Sequence, residues 1–438
     1  MSAQPSHNSW LRFRGALSDL SASGRRALIA RAHAADSTIA ADTARIVADV
    51  RARGDDALRD MAQRFDGVAL ERLEVPRLVR ARALDALPTA LRDAMERAIA
   101  NITTVHRAFA PTALEIETEP GVIVGRRPDP LRRVGVYAPG GRASYPSSVL
   151  MGAVPARVAG VGEIVVCSPP DQSGTPPRGV LAAAELAGVD RVFAIGGAGA
   201  IAAMALGTES VPRVDRIVGP GNAYVAAAKL QLVSDVGIDS PAGPSELVVI
   251  ADDSADPCTV AGEMVAQAEH DPRACVVALV TSSSGAAAIE HALDATARNA
   301  ERRAVVASAL SAQGGVLQVN SVEAAIEFAN EYAPEHLLLA VESPAFVLPF
   351  VRNAGTVFLG ETSSVAFGDY MTGANHVLPT GGMARAYSGL SSLDFVRWTT
   401  YQIVNARAAA SLAGDVGTFA DMESLPAHAS TARRWSTL

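Results

Sequence analysis

From Arg132 the chain settles into an alternation of short β-rich runs and helices of small residues, and that alternation leaves few folds open. RRVGVY is followed by SSVLMGAVPARVA, EIVVC by GVLAAAELAG, RVFAI by AIAAMAL, and DRIVGPGN by AYVAAAKLQL. A strand that returns through a helix lies parallel to the one before it, so each pair reads as a βαβ unit. A second series opens at SELVVIAD and runs through DPCTVAGEMVAQAEH, CVVALVTS and AAAIEHALDATARNA to GVLQVN. Two such blocks predict an α/β protein with two parallel sheets. The repetition is one of architecture, since no fixed-period identity accompanies it.

The segments around these blocks differ in rhythm. Ile39, Ile46, Val47 and Val50 recur at helical spacing from Asp36 to Gly54, and Leu58, Met61 and Phe65 mark a second helix that stops at Asp66 and Gly67. Leu91, Met95, Ile99, Ile102, Val105 and Phe109 predict a longer helix closed by Pro111. Leu114, Ile116 and Thr118 alternate with glutamates, turn at Pro120 and Gly121, and continue as the alternating run 122–124, which reads as a hairpin. After about Gly389 helical character is expected to return.

Composition excludes several functions. A formal net charge of −8 over 438 residues argues against a general nucleic-acid binder or an anionic-membrane binder, both of which need a basic face. The uncharged runs 192–208 and 304–322 are broken by paired glycines, and neither reads as a membrane span. Three cysteines, Cys167, Cys258 and Cys275, make no disulfide framework and fit a reduced, cytoplasmic protein. The first twenty residues lack a basic start, an apolar stretch and a cleavage site, so no secretory signal is expected.

Several residues are chemically suggestive. Gly197, Gly199 and Ala202 form a GxGxxA after the strand RVFAI, and Gly219, Pro220, Gly221 and Asn222 form a second turn; each suits either a phosphate at a helix start or an ordinary βα connection. Gln267 and His270, three apart near a helix end, project from one face and suit two ligands of one cation, or a solvated helix end. Glu335 and His336 adjoin one another after Pro334, where an acid and an imidazole at a strand entrance divide two proton transfers, or simply decorate a loop. Asp369 and His376 share a glycine-rich loop, and Glu423 and His428 lie in ESLPAHAS near the end. His7, His33, His106 and His291 read as structural or exposed.

Taken together, RARGDDALRDMAQRFDG, RRVGVYAPGGRASYPSSVLMGAVPARVAGV, GTESVPRVDRIVGPGNAYVAAAK, DSPAGPSELVVIAD, VAQAEHDP, NEYAPEHLLL, FGDYMTGANHVLPTGG, YSGLSSLDFVR and ESLPAH resemble the histidinol dehydrogenase family, in order, from about residue 40 to 428. The resemblance implies two incomplete Rossmann-like domains with parallel sheets plus small helical N- and C-terminal segments. The implied boundaries are an arm over 1–35, a first domain of 36–135 with 246–388, a second of 136–245, and a C-terminal domain of 389–438 exchanged within a homodimer.

The activity it implies is NAD- and zinc-dependent oxidation of L-histidinol, through L-histidinaldehyde, to L-histidine, the last step of histidine biosynthesis. Zinc ligands fall on Gln267, His270 and Asp369, with His428 from the partner subunit; proton acceptors fall on Glu335 and His336. Ser245 and Glu423 join the ligands and His336 around the substrate, and Tyr137, Asn222 and the segment at Gly199 face NAD. Where the family commonly carries Gln in GGAQAIAA this chain has Gly199, which removes one cofactor contact and also creates the apparent GxGxxA. A dehydrogenase for another alcohol and a non-catalytic descendant are the competing readings, and retention of every ligand position favours histidinol.

Overall fold

The computed structural model describes residues 10–31, 37–140 and 144–437; Asp36, His7 and His33 lie outside them. The chain opens with strand β1 (Phe13–Ala16) and helix Ala22–Ile29. Helices Ser37–Arg53, Asp55–Met61, Arg77–Asp85 and Thr89–Ala108 follow, and the hairpin β2 (Leu114–Glu119) and β3 (Val122–Pro130) comes next, as its alternation predicts. The β-rich runs then become β4 (Arg133–Tyr137), β5 (Glu163–Ser168), β6 (Arg191–Ala194), β7 (Arg216–Val218) and the short β8 (Gly237–Ile238). The second series becomes β9 (Glu246–Ala251), β10 (Cys275–Val280), β11 (Gly314–Gln318), β12 (His336–Ala340) and β13 (Thr356–Leu359). A last strand, β14 (Val396–Val404), precedes helices Ala406–Met422 and Pro426–Arg433.

Both expected parallel sheets are present. One has the order β1-β11-β10-β9-β12-β13, the other β6-β5-β4-β7-β8, and every pairing in them is parallel. Strands β9 and β10 are buried at every position, which is why they read as unbroken apolar runs: helices cover both faces. Each sheet has a point where the chain reverses its direction of growth, between β9 and β12 in the first and between β4 and β7 in the second. Crevices at such points are where α/β sheets bind ligands.

Three features differ from expectation. The N-terminal segment contributes β1, which pairs with β11 at the edge of the six-stranded sheet, so part of it is sheet. Residues after Gly389 do not turn helical at once, because β14 pairs along all nine residues with β3 in a three-stranded antiparallel sheet. Its composition, VRWTTYQIV, is that of a strand, but it is largely exposed, so no clean alternation marks it. Finally, Val47, Val50, Leu58, Met95 and Ile102 share one core with Val136, Val166 and Ile201, whereas separate clusters cover the six-stranded sheet. By packing, the helices over 37–108 side with the five-stranded sheet. Periodicity reveals an apolar helix face, not which sheet it covers.

His106 lies within that core, edge-on to Phe109, with neither ring nitrogen hydrogen-bonded. Burial pushes its imidazole down to about 4 from 6.5. Between those pH values the unfolded chain takes up a proton and the folded chain does not, so stability is complete above about pH 6.5 and is lost as pH falls toward 4. Over that window the loss is roughly 2–3 kcal/mol. Urea unfolding of His106→Leu against the parent at pH 7 and pH 4.5 is expected to show a smaller acid-dependent loss in the variant.

Candidate active site

The helix Val322–Tyr332 ends at Ala333, a non-glycine residue held at φ 52°, and three residues later β12 begins. That sharp exit places Glu335 and His336 at the amino edge of the first sheet, beside the start of β9. His336 pairs with Leu247 in register, so Glu246 is the neighbour of Glu335. The contacts follow: Glu246 N–H donates to Glu335 Oε2 at 2.8 Å, and Glu335 N–H donates to Glu246 Oε2 at 3.3 Å. The Glu246 carbonyl lies 2.9 Å from His336 Nδ1.

A carbonyl only accepts, so Nδ1 carries the proton and the neutral ring leaves a lone pair on Nε2. Nε2 is buried without a hydrogen-bond partner, 3.8 Å from Asp369 Oδ1. Burial holds the His336 imidazole down to about 4, with His270 and His376 adding to the effect, so it stays unprotonated at neutral pH. Burial lifts Glu335 well above the carboxylate range, opposed by the Glu246 N–H and reinforced by the charges of Glu246 and Asp369. An unprotonated imidazole beside a carboxyl whose hold on its proton is strengthened by burial can serve two proton transfers.

Helix Pro257–Ala268 runs back from β9 to the same amino edge. Its Gln267 is buried with Nε2 unpartnered, and His270 follows just past the helix end, exposed. One turn earlier on the same face, Glu263 accepts from Val365 N–H at 3.1 Å, which packs this helix against Val365–Tyr370 and Asp369. Burial, then Glu263, pushes Asp369 up to about 7. His376 Nδ1 sits 2.9 Å from the Asp369 carbonyl. The Asp369 carboxylate, the Gln267 amide through its oxygen and the His270 imidazole are donor types suited to a cation of mixed nitrogen and oxygen preference. Among the described residues no cage of three or more His, Cys, Asp or Glu side chains is formed. Ser245, half-buried next to Glu246, accepts through its carbonyl from Cys275 N–H at 2.9 Å.

Tyr137 and Asn222 lie apart from this cluster in sequence and edge. Tyr137 ends β4, is buried, and its hydroxyl oxygen accepts from Gly197 N–H at 3.0 Å. Asn222 follows β7 and caps helix Ala223–Gln231, its Oδ1 accepting from Tyr224 and Val225 N–H. Both therefore stand at the carboxyl edge of the five-stranded sheet, at its reversal point. Gly199 lies one turn inside helix Gly197–Leu206, and a Cβ there would come 2.9 Å from Met61 Sδ. Glu423 and His428 are exposed on the C-terminal helices, and helix Pro426–Arg433 packs on Ala406–Met422.

Sequence reasoning missed the groups behind these residues. Arg31 and Glu246 form a fully buried pair under Glu335. Lys229 Nζ donates to the Gly219 carbonyl at 2.6 Å and to Asp239 Oδ1 at 2.5 Å, while Asp239 Oδ2 accepts from Gly219 N–H at 2.7 Å. Gly219, at φ 113°, has no room for a side chain, since a Cβ would lie 2.2 Å from the Tyr137 carbonyl. A signal for Lys229 was present: it is the one lysine in a sequence otherwise supplied with arginine.

A family model described as histidinol dehydrogenase matches residues 29–435. A histidinol dehydrogenase from Methanothermobacter thermautotrophicus is 44% identical over 407 residues, 93% of this chain and 96% of its own. The chain belongs to the histidinol dehydrogenase family. A histidinol dehydrogenase from Natronomonas pharaonis is 47% identical over 416 residues, covering 94% of this chain and 97% of that protein. The crystal structure of histidinol dehydrogenase from Elizabethkingia anophelis superposes with a TM-score of 0.93 at 34% identity, covering 98% of this chain and 99% of that one. Membership makes the chain an NAD-linked oxidoreductase of histidine biosynthesis, acting on a small molecule. Among the described residues no helix is long and apolar enough to cross a membrane.

The buried Lys229–Asp239 pair yields a direct test. Lys229→Met leaves the Asp239 carboxylate buried without its cation, and urea unfolding is expected to show a loss of about 3–5 kcal/mol.

Proposed function

We propose that Glu335 and His336 carry the proton transfers by which this chain oxidises L-histidinol to L-histidine through L-histidinaldehyde, in the cytoplasm. The observation that carries the reading is the open, buried Nε2 of His336 with Glu335 beside it. His336 Nε2 takes the alcohol proton in the first oxidation. Glu335 then takes a proton from the water that adds to the aldehyde while His336 returns its proton to the aldehyde oxygen, which leaves Nε2 open again to take a proton from the hydrate in the second oxidation. NAD held at the other sheet would supply the hydride acceptor for both oxidations, and zinc held by Gln267, His270 and Asp369 would supply a centre that orients the amino alcohol.

Gln267, His270 and Asp369 would hold the zinc together with His428 of the partner subunit. The raised Asp369 carboxyl supports this, as it gains from a nearby cation, and the burial of Gln267 beside it leaves its amide oxygen available as a second ligand. Ser245 and Glu423 complete the substrate contacts, with Glu423 also supplied across a homodimer. The exposed His428 shares its helix pair with exposed Phe419, Met422 and Leu425, an apolar surface consistent with burial against a second subunit. Tyr137 and Asn222 would meet NAD at the reversal point of the five-stranded sheet, with Gly199 on the same rim.

NADH and histidine are measured together with L-histidinol as substrate, before and after chelation. The expected result is two NADH per histidine, abolished by the chelator and restored by zinc. Zinc and NAD binding without histidinol turnover would overturn the substrate assignment. The shared site is checked separately by mixing inactive His270→Asn and His428→Asn subunits. After verified exchange, each heterodimer is expected to regain about one working site of two, and no recovered activity would refute the sharing.

A further inference from the structure

We infer that Arg31 and Glu246 are positioning residues that fix Glu335 and His336 in their working geometry, an assignment that rests on the reading of those two as the proton-transfer pair. Glu246 touches both. Its N–H holds the Glu335 carboxyl and its carbonyl holds His336 Nδ1. Its position is set in turn by its own carboxylate: Oε1 accepts from Arg31 Nε at 2.8 Å and Gly381 N–H at 2.7 Å, and Oε2 from Arg31 Nη2 at 2.7 Å and Glu335 N–H at 3.3 Å. The guanidinium lies 3.5 Å over the Tyr332 ring and also donates to the Ala333 carbonyl, at the left-handed turn that delivers Glu335.

A buried ion pair is a poor source of stability, because desolvation offsets most of the attraction and apolar replacements are frequently neutral or better. Here both side chains are essentially without exposure, and the carboxylate gathers four donors from three distant segments. That arrangement fixes orientation. It determines which His336 nitrogen carries the proton and keeps Nε2 open toward the substrate. The arrangement is that of a base oriented by a third group, with a backbone carbonyl in that role and the ion pair behind it.

The test uses the full chain with zinc and NAD. Arg31→Lys keeps the charge and the fold but loses the planar fork, and its kcat is expected to fall about tenfold or more with the KM for NAD unchanged. Arg31→Met/Glu246→Met removes the pair together; its urea midpoint is expected to stay near the parent's while kcat remains at least about tenfold down. Recovery of kcat along with the midpoint in the double variant would reduce the pair to a structural role and overturn the inference. So would an Arg31→Lys enzyme within twofold of the parent while Glu335→Gln and His336→Asn are inactive. If Glu335→Gln and His336→Asn themselves keep the parent's kcat, the underlying reading of the pair fails, and the inference with it.

Discussion

The Glu246 carboxylate, buried and surrounded by N–H donors, is the point on which the cluster around Glu335 and His336 is assembled. Arg31, Ser245, Glu335 and Gly381 come from four remote parts of the chain, and three of them meet through that one group or its backbone. The sheet makes this possible. Because growth reverses between β9 and β12, strands eighty-odd residues apart become neighbours, and parallel register sets Glu246 beside Glu335. A one-residue slip would turn His336 to the other face and separate the pair. Register and ion pair therefore enforce each other: the fully buried strands lock the register, and the charge selects the one arrangement in which its four donors converge.

The two sheets are used at opposite edges. Tyr137 and the 219–222 turn stand at the carboxyl edge of the five-stranded sheet, where the reversal rule places nucleotides. Glu335, His336 and Gln267 stand at the amino edge of the other, reached by a strand entrance and by a helix returning from β9. The segment between them is short. Asp239 pins Gly219 and Glu246 seven residues on holds Glu335 and His336, so these two anchors are at most about 25 Å apart even with the chain fully extended. One stretch of backbone thus ties the 219–222 turn to the Glu335–His336 pair.

Much of this was legible in the sequence, for reasons that separate by range. Strands buried on both faces announce themselves as apolar runs, and β4 to β7 and β9 to β12 fall where those runs are. The exposed β14, whose partners lie 266 to 282 residues earlier in the chain, leaves only a composition signal. Gln267, His270, Glu335, His336 and Asp369 were visible as chemically capable types, but spacing left the alternatives open; the order of the family's motifs chose among them. Arg31 was invisible because its meaning lies in a partner 215 residues distant. Lys229 carried a compositional hint whose physical content, a compact ammonium fitted between a carbonyl and a carboxylate, appears only in three dimensions.

What remains strained in the folded chain is itself informative. Natural interiors pair their buried polar groups, so an orphaned amide at Gln267, an open nitrogen at His336 and an Asp369 carboxyl pushed up to about 7 are exceptions that work against folding. They occur together, at the edge where the sheet reverses. A cation and a polar substrate would satisfy all three at once. The neighbouring Arg31–Glu246 pair is satisfied wholly within the chain, whereas Gln267, His336 and Asp369 share one edge and could be completed together from outside it.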